Sequence, residues 1–271
     1  MARVGISGWR YAGWRGTFYP PGLPQRRELA HVAEHLTTVE VNGSFYSLQR
    51  ASSWTSWAAQ VPTDFVFAVK GPRFITHMKK LSGVEVPLGT FLASGVLSLG
   101  PRLGPLLWQL PPNLGFHADR LGAFLELLPR TTGEAASYAA RHHDASKLKE
   151  PAVTEAPVDQ PLRHVVEARH ESFRTPEFCA LLRAHDVGMV IADSAGTWPM
   201  FDEVTTDLAY VRLHGDTELY ASGYSPAALD HWAAKVRGWE ADGIAAHVYF
   251  DNDAKVHAPF DAIALRDRLS D

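Results

Sequence analysis

Short apolar stretches alternate with amphipathic stretches along almost the whole chain. The apolar stretches are rich in β-branched and aromatic residues, which is typical of buried parallel strands. Eight strands are predicted, at residues 4–9, 38–45 and 65–70 and in LGPLLWQL, HVVEA, VGMVIAD, LAYVRLHG and AAHVYFD. Apolar residues at three- and four-residue spacing predict helices between them. These helices are at residues 25–36, 52–60, 86–99, 118–128 and 176–185, in SPAALDHWAAKVRGWEAD, and at 260–269.

Two segments break this alternation. Residues 130–160 are polar and end in a Pro-rich stretch, which predicts an irregular insertion with a short helix near residues 134–143. Between the sixth and seventh strands the sequence TWPMFDEVTTD reads as a loop, so the helix expected there is short or missing.

Eight strands alternating with helices over about 250 residues predict a TIM-type (β/α)8 barrel. We expect a single domain spanning residues 1–271. A doubly wound open sheet is the competing fold, and it usually carries a Gly-rich fingerprint after its first strand. The stretch GISGWRYAGWRG has glycines without that spacing, so the barrel is preferred.

Polar or ionisable residues stand near the ends of most predicted strands. Residues two apart in a strand share a face, and the active sites of such barrels lie at the carboxyl ends of the strands. The sequence therefore predicts one shared pocket. The pairs are Glu40 and Asn42, Glu167 and Arg169, Arg212 and His214, and Asp251 and Asp253, with single groups at Lys70, Gln109 and Asp193.

Carboxylates near cations can act as general acids or bases, and arginines suit bidentate contacts to carboxylate or phosphate. We expect an enzyme that acts on a small polar, anionic metabolite by acid/base chemistry. Glu40 or Glu167 would be the acid or base, Lys70 would stabilise charge, and His77 and His214 would move protons or orient the substrate. The expected substrate-binding residues are Asn42, Arg73, Gln109, Arg169, Asp193, Arg212 and Asn252.

Other interpretations of the same residues stay open. Glu40 with Lys70, or Glu167 with Arg212, would also suit interior ion pairs without chemistry. A metal-dependent phosphodiesterase or nuclease-like hydrolase would hold its ion with several of Glu40, Glu167, Asp193, His214 and Asp251, but no compact motif such as HExxH is present. No cofactor and no metal ligand are therefore assigned, and a divalent metal stays an alternative. A non-catalytic ligand-binding barrel is the third interpretation.

Composition narrows the classes of partner. The net charge of −4 and pI near 6.3 argue against broad nucleic-acid binding, although a local basic patch is compatible with them. Cys179 is the single cysteine, so no disulfide framework is expected. The start MARVGISGW does not resemble a signal peptide, and no run of about 18 apolar residues suggests a membrane span. A cytoplasmic protein is expected, and the oligomeric state is left open.

The histidines in predicted helices or the insertion are interpreted as surface or packing residues: His31, His35, His142, His143, His185 and His231.

Several motifs together resemble the domain of unknown function 72 family, whose members adopt a TIM-type barrel. They are VGISGWRYAGWRGTFYPPGLP, TVEVNGSFY, FAVKGPRFITH, LLWQLPP, VEARHESF, YVRLHG and YFDNDAKVHAP. The resemblance implies the fold and a pocket, and no established reaction. Asp251 and Asp261 stand where the family pattern has asparagine, and this added negative charge would alter anion affinity or favour a cation.

Overall fold

The computed structural model describes residues 2–270. Its eight strands are parallel and form a closed barrel in chain order. The predicted (β/α)8 fold is confirmed. The strands are β1 (Arg3–Ser7), β2 (Thr38–Val41), β3 (Val66–Lys70), β4 (Leu103–Gln109), β5 (His164–Glu167), β6 (Gly188–Asp193), β7 (Leu208–Leu213) and β8 (Ala245–Phe250).

Nine α-helices occur among the described residues, most of them close to the predicted positions. They are α1 (Glu28–His35), α2 (Gly43–Tyr46), α3 (Ala51–Ala58), α4 (Glu85–Ala93), α5 (Ala118–Glu126), α6 (Thr132–His142), α7 (Pro176–Ala184), α8 (Pro226–Ala241) and α9 (His257–Ser270). Helix α6 is the helix predicted within residues 130–160. Residues 194–207, between β6 and β7, contain no helix, as predicted. No described helix combines the length and apolarity needed to span a bilayer.

The two largest differences from the predicted boundaries are at the ends of β2 and α4. The second strand ends at Val41, and Asn42 already has helical torsions (φ −85°, ψ −23°) at the start of α2. Asn42 therefore does not continue the strand alternation with Glu40. The helix predicted to residue 99 stops at Ala93, because Gly95 adopts a left-handed φ of 100°, and a 3-10 segment, Val96–Arg102, follows.

By its contacts the chain divides into two compact units. Unit one comprises the residues up to Glu40 and those from Gly188 onward, and unit two comprises Val41–Val187. The expectation of a single domain stays a prediction.

In unit one, β1 pairs with β2 and with β8, and β7 pairs with β6 and β8. Helix α9 packs on β1 and β8, and α8 packs on α9. Gly5 permits the close approach of β1 to β2, because a Cβ there would lie 2.1 Å from the carbonyl oxygen of Thr38. The ladder aligns Ser7 with Glu40 and Arg212 with Tyr249, so polar residues of neighbouring strands share a face.

In unit two, β4 pairs with β3 and β5, and α4 packs against α6. The buried indole of Trp108 packs against the rings of Phe91 and Phe124. Trp108 Nε1 donates to His164 Nδ1 at 3.1 Å, so His164 Nε2 carries the proton and donates to the carbonyl of Pro129 at 2.7 Å. Burial lowers the pKa of His164 to about 4, so this histidine is a neutral part of the core.

Candidate functional site

In unit one, the carboxylate of Glu40 is the centre of a buried hydrogen-bond network. Oε1 accepts from Ser7 Oγ at 2.6 Å and from Arg212 Nη2 at 2.9 Å, while Oε2 accepts from the Tyr210 hydroxyl at 2.7 Å and from Arg212 Nε at 3.0 Å. Glu40 and Arg212 are both fully buried. Four donor atoms therefore hold the carboxylate in one position.

Arg212 joins Glu40 to the end of β8. Its Nη2 donates to Asp251 Oδ2 at 2.9 Å, and its Nη1 lies 3.3 Å from His214 Nε2. A guanidinium only donates, so His214 Nε2 is the acceptor and the proton of the neutral ring is on Nδ1, 2.9 Å from Asp251 Oδ2. With two carboxylates around its guanidinium, Arg212 has the geometry of an internal ion pair, and the anion-clamp role expected for it stays a prediction.

The remaining predicted residues of unit one lie in a second network. Asp193 Oδ2 accepts from the Tyr224 hydroxyl at 3.1 Å, and the buried Asn252 donates through Nδ2 to Asp261 Oδ2 at 2.8 Å. Burial is the main cause that raises the pKa of both aspartates. Both departures from the family pattern have partners within unit one, because Asp251 accepts from Arg212 and Asp261 accepts from Asn252.

Sequence reasoning missed three hydroxyls of unit one. Ser7 and Tyr210 donate to Glu40, and the Tyr11 hydroxyl donates to the carbonyl of Ser7 at 2.6 Å. Tyr210 stands two residues before Arg212 and so shares its face. This spacing is a sequence signal for Tyr210, but Tyr210 is not charged and was not among the predicted site residues. Burial and the neighbouring Asp251 raise the pKa of Asp253 to about 6.

In unit two, three predicted residues end adjacent strands. Lys70 is level with Leu107, and Gln109, two residues further along the same face of β4, is level with Glu167. The side chains of Lys70, Gln109 and Glu167 therefore point to one side of the sheet. Glu167 is fully buried, and its Oε1 accepts from Arg169 Nε at 2.5 Å.

An aromatic contact connects this sheet edge to the segment after β3. Lys70 Nζ lies 4.3 Å from the centroid of the Phe45 ring, and the ring of His77 lies edge-on to Phe45 at a centroid distance of 5.0 Å. His77 belongs to a π-helical turn, Phe74–Met78, and its Nδ1 lies 2.9 Å from the hydroxyl of Thr76. Single π-helical turns are frequent at functional sites.

The electrostatics around His77 are positive. Burial, followed by the charges of Lys70, Arg169 and Arg73, lowers the pKa of His77 to about 4, against an opposing contribution from Glu167. Burial is the largest cause of this shift, and the cations that add to it mark a place where an anion is favoured. Arg73 is exposed, and it borders a cavity of about 860 Å³ in the same unit.

Metal-ligand geometry occurs elsewhere in the described part of the chain. His31, Glu34 and His35, on one face of α1, place donor atoms within 4.8 Å of one another. Their spacing of three and four residues brings them together, although these histidines were expected to be surface or packing residues. The metal set proposed from the sequence stays a prediction, and within it Glu40 and Asp251 each accept from the Arg212 cation.

The fold and the polar strand ends define the class: a TIM-type barrel of eight parallel strands, with ionisable side chains where the strands end. A family model described as "Protein of unknown function DUF72" matches residues 3–271. The chain belongs to this family, and the resemblance found in its motifs is confirmed.

Relatives with curated names share part of the chain. The UPF0759 protein YunF of Bacillus subtilis is 28% identical over 120 residues, which cover 41% of this chain and 40% of that protein. The UPF0759 protein YecE of Escherichia coli K12 is 29% identical over 130 residues, covering 48% and 45%. The matched part is thus less than half the length of each of these relatives. A DUF72 family structure from Thermotoga maritima covers 100% of both chains with a TM-score of 0.78 at 24% identity, which supports the fold.

Proposed function

We propose that this protein is an enzyme that binds a small metabolite bearing a phosphate or carboxylate at the carboxyl ends of β3 to β5. The observation that carries the proposal is that three cations, Lys70, Arg169 and Arg73, act on His77 against one opposing carboxylate, Glu167, and that Arg73 also lines the cavity. This excess of positive charge lies next to an open cavity, where an anion can approach from solvent. A partly buried cationic pocket attracts anions more strongly than an exposed one, because water screens it less.

The same group of residues suits acid/base chemistry. With a pKa of about 4, His77 is neutral near pH 7, and a bound anion would raise this pKa toward the range in which the ring accepts a proton efficiently. Glu167 is oriented by Arg169, and Gln109 is level with it on the neighbouring strand. We assign proton transfer to His77 and Glu167, and substrate binding to Lys70, Arg73, Arg169 and Gln109.

The network of Glu40 and Arg212 has a different part in this proposal. Its charges already bond to one another in the interior of unit one, so we assign it to positioning the carboxyl ends of β7 and β8. The acid/base role expected for Glu40 stays a prediction, as does the role of His214 in moving protons.

A binding screen with a matched pair of variants tests the proposal. Phosphorylated and carboxylated metabolites, with inorganic phosphate, are screened at low salt by thermal shift, and binders are measured by calorimetry. Arg73→Gln should weaken anion binding at least about fivefold, which corresponds to about 1 kcal/mol. Arg102→Gln removes one positive charge next to the amino end of β4, away from the carboxyl ends of the strands, and should change it little.

Turnover separates an enzyme from a binding protein. Binders are incubated with the protein and products are followed by mass spectrometry, and His77→Asn should lower kcat while leaving the dissociation constant nearly unchanged. A screen without anionic binders, or equal affinities for Arg73→Gln and Arg102→Gln, would refute the anion site. A tight anion recovered without conversion would make the protein a non-catalytic binding barrel.

A further inference from the structure

The cavity in unit two is unusually rich in exposed apolar side chains. Seven large hydrophobic side chains are exposed among residues 2–270, and four of them line this cavity. They are Tyr46, Phe74, Met78 and Val86, which are 71%, 43%, 65% and 48% exposed. Contiguous apolar surface of this kind marks a binding site, because exposing it to water is unfavourable.

The π-helical turn explains why two of these side chains, Phe74 and Met78, face outward. The amide of Lys79 donates to the carbonyl of Phe74 at 2.9 Å, which closes the wide turn. Within it, Ile75 and Thr76 are fully buried while Phe74 and Met78 remain exposed. The turn therefore places one pair of side chains, Ile75 and Thr76, in the interior and the other pair, Phe74 and Met78, on the apolar wall of the cavity.

The charged residues that line the cavity are mostly cations. Arg73, Lys79 and Lys147 face it, against a single carboxylate, Asp144. Hydrogen bonds from the side chain and backbone of Ser146 lower the pKa of Asp144, so this carboxylate is ionised near neutral pH. Three cations and one anion leave an excess of two positive charges around an apolar interior.

Two residues, Arg73 and Phe45, connect the cavity to the cation cluster described above. The ring of Phe45 lines it and also contacts both Lys70 and His77. We propose that the cavity binds the aromatic or aliphatic body of an organic anion, whose charged group lies between Arg73 and Lys70. This inference rests on the proposed anion site, and it deepens that proposal by naming the class of ligand.

The size of the cavity favours such a ligand over a bare anion. Its volume of about 860 Å³ is within the range of sites that hold drug-sized molecules, roughly 300–1,000 Å³. Phosphate or a short dicarboxylate would fill a small part of it and leave the apolar wall in water. An aryl or medium-chain alkyl carboxylate, sulfonate or phosphate matches both the wall and the charges.

Two fluorescent probes that differ by one charged group test the inference on the full chain. 8-Anilinonaphthalene-1-sulfonate carries the anion, and N-phenyl-1-naphthylamine is the same aromatic body without it. The sulfonate should bind with one-to-one stoichiometry and at least about tenfold more tightly than the amine, a difference of about 1.4 kcal/mol. Inorganic phosphate is measured alongside, because it reports the anion site alone.

A pair of methionine variants locates the probe. Met78→Glu places a carboxylate on the apolar wall, and it should weaken sulfonate binding at least about tenfold because it adds repulsion and removes apolar contact. Met200→Glu is the matched control, since Met200 is 42% exposed and lies in unit one, outside the residues that line the cavity. Both side chains are exposed, so neither change disturbs the core.

The outcomes separate the inference from the proposed function. Equal sulfonate affinity of Met78→Glu and Met200→Glu would overturn the inference, while phosphate binding that is sensitive to Arg73→Gln would leave the anion site standing. Equal binding of the two probes would show that the cavity takes apolar molecules without regard to charge, which also overturns the inference. If Arg73→Gln weakened the binding of neither phosphate nor the sulfonate, the anion site itself would be refuted.

Discussion

Replacing Glu40 by glutamine tests the assignment of the Glu40 network to the framework of unit one. The substitution keeps the volume of the side chain, so it creates no cavity, and it exchanges one acceptor oxygen for an NH2 group. Each oxygen of Glu40 accepts from one hydroxyl and from one nitrogen of Arg212. In either orientation, the new NH2 group therefore faces a guanidinium N–H, and a guanidinium cannot accept.

The magnitude follows from these contacts. A hydroxyl can rotate to accept from the new NH2 group, but the arginine donor opposite it loses its partner, at a cost of about 1–3 kcal/mol. The charge of Arg212 also loses the Glu40 carboxylate and keeps that of Asp251, and removing one partner of a buried ion pair typically costs about 3–5 kcal/mol. We expect Glu40→Gln to lower the free energy of unfolding by about 3–5 kcal/mol, with a fall in Tm on the order of 10 °C.

Urea denaturation followed by circular dichroism measures this loss, and a surface pair provides the control. Glu218 pairs with Lys255 at 3.1 Å, with side chains 65% and 60% exposed, so Glu218→Gln should change stability by less than about 1 kcal/mol. If Glu40→Gln is as stable as Glu218→Gln, the carboxylate does not hold the network together. A variant that stays folded and loses turnover would instead return Glu40 to the acid/base role expected from the sequence.

Three further predictions concern the framework around the site. Gly5→Ala should destabilise the protein by several kcal/mol, or prevent folding, because the added methyl would overlap the carbonyl of Thr38; a Tm within about 2 °C of wild type would contradict this. His164 has a pKa of about 4 in the folded state and 6.5 ordinarily, so the unfolded chain binds its proton first and stability falls as pH decreases from 6.5 to 4. His164→Gln should reduce that dependence by up to about 1.4 kcal/mol per pH unit in urea titrations, and equal slopes would refute it. Thr175→Ala removes the acceptor for the amide of Phe178 at the start of α7, and it should cost about 1 kcal/mol by the same assay, whereas no loss would show that the cap is dispensable.

The fold was predictable because the signals for a parallel barrel are local. Each strand is an apolar run and each helix has its own period, so neither depends on distant residues. The two wrong boundaries also have local causes, to which secondary-structure propensities give too little weight. The sequence VNGSFY looks like a continuing strand, but Asn42 and Gly43 turn the chain into α2, and the left-handed Gly95 ends the helix predicted through residue 99.

The faces of the site residues were predictable, but their partners were not. Two-residue spacing correctly indicates that Tyr210 and Arg212 point the same way. It does not indicate that Arg212 meets Glu40, 172 positions away in sequence, because that contact depends on the register of several strands. The cavity in unit two was missed for a related reason. Part of its wall is made by a π-helical turn, which has no hydrophobic period of its own in the sequence.

The partners of the strand-end residues explain why similar strand ends can have different chemistry. In unit one, the Arg212 cation lies between the carboxylates of Glu40 and Asp251, which together more than offset its charge. In unit two, the cations of Lys70, Arg73 and Arg169 act on His77 against the single carboxylate of Glu167. The sequence shows mixed charges at the strand ends of both units. Only the neighbours across the sheet distinguish an arginine that is paired with carboxylates from a group with an excess of positive charge. The excess is what an anionic ligand requires, and for that reason the proposed chemistry belongs to β3–β5 rather than to the more deeply buried arginine.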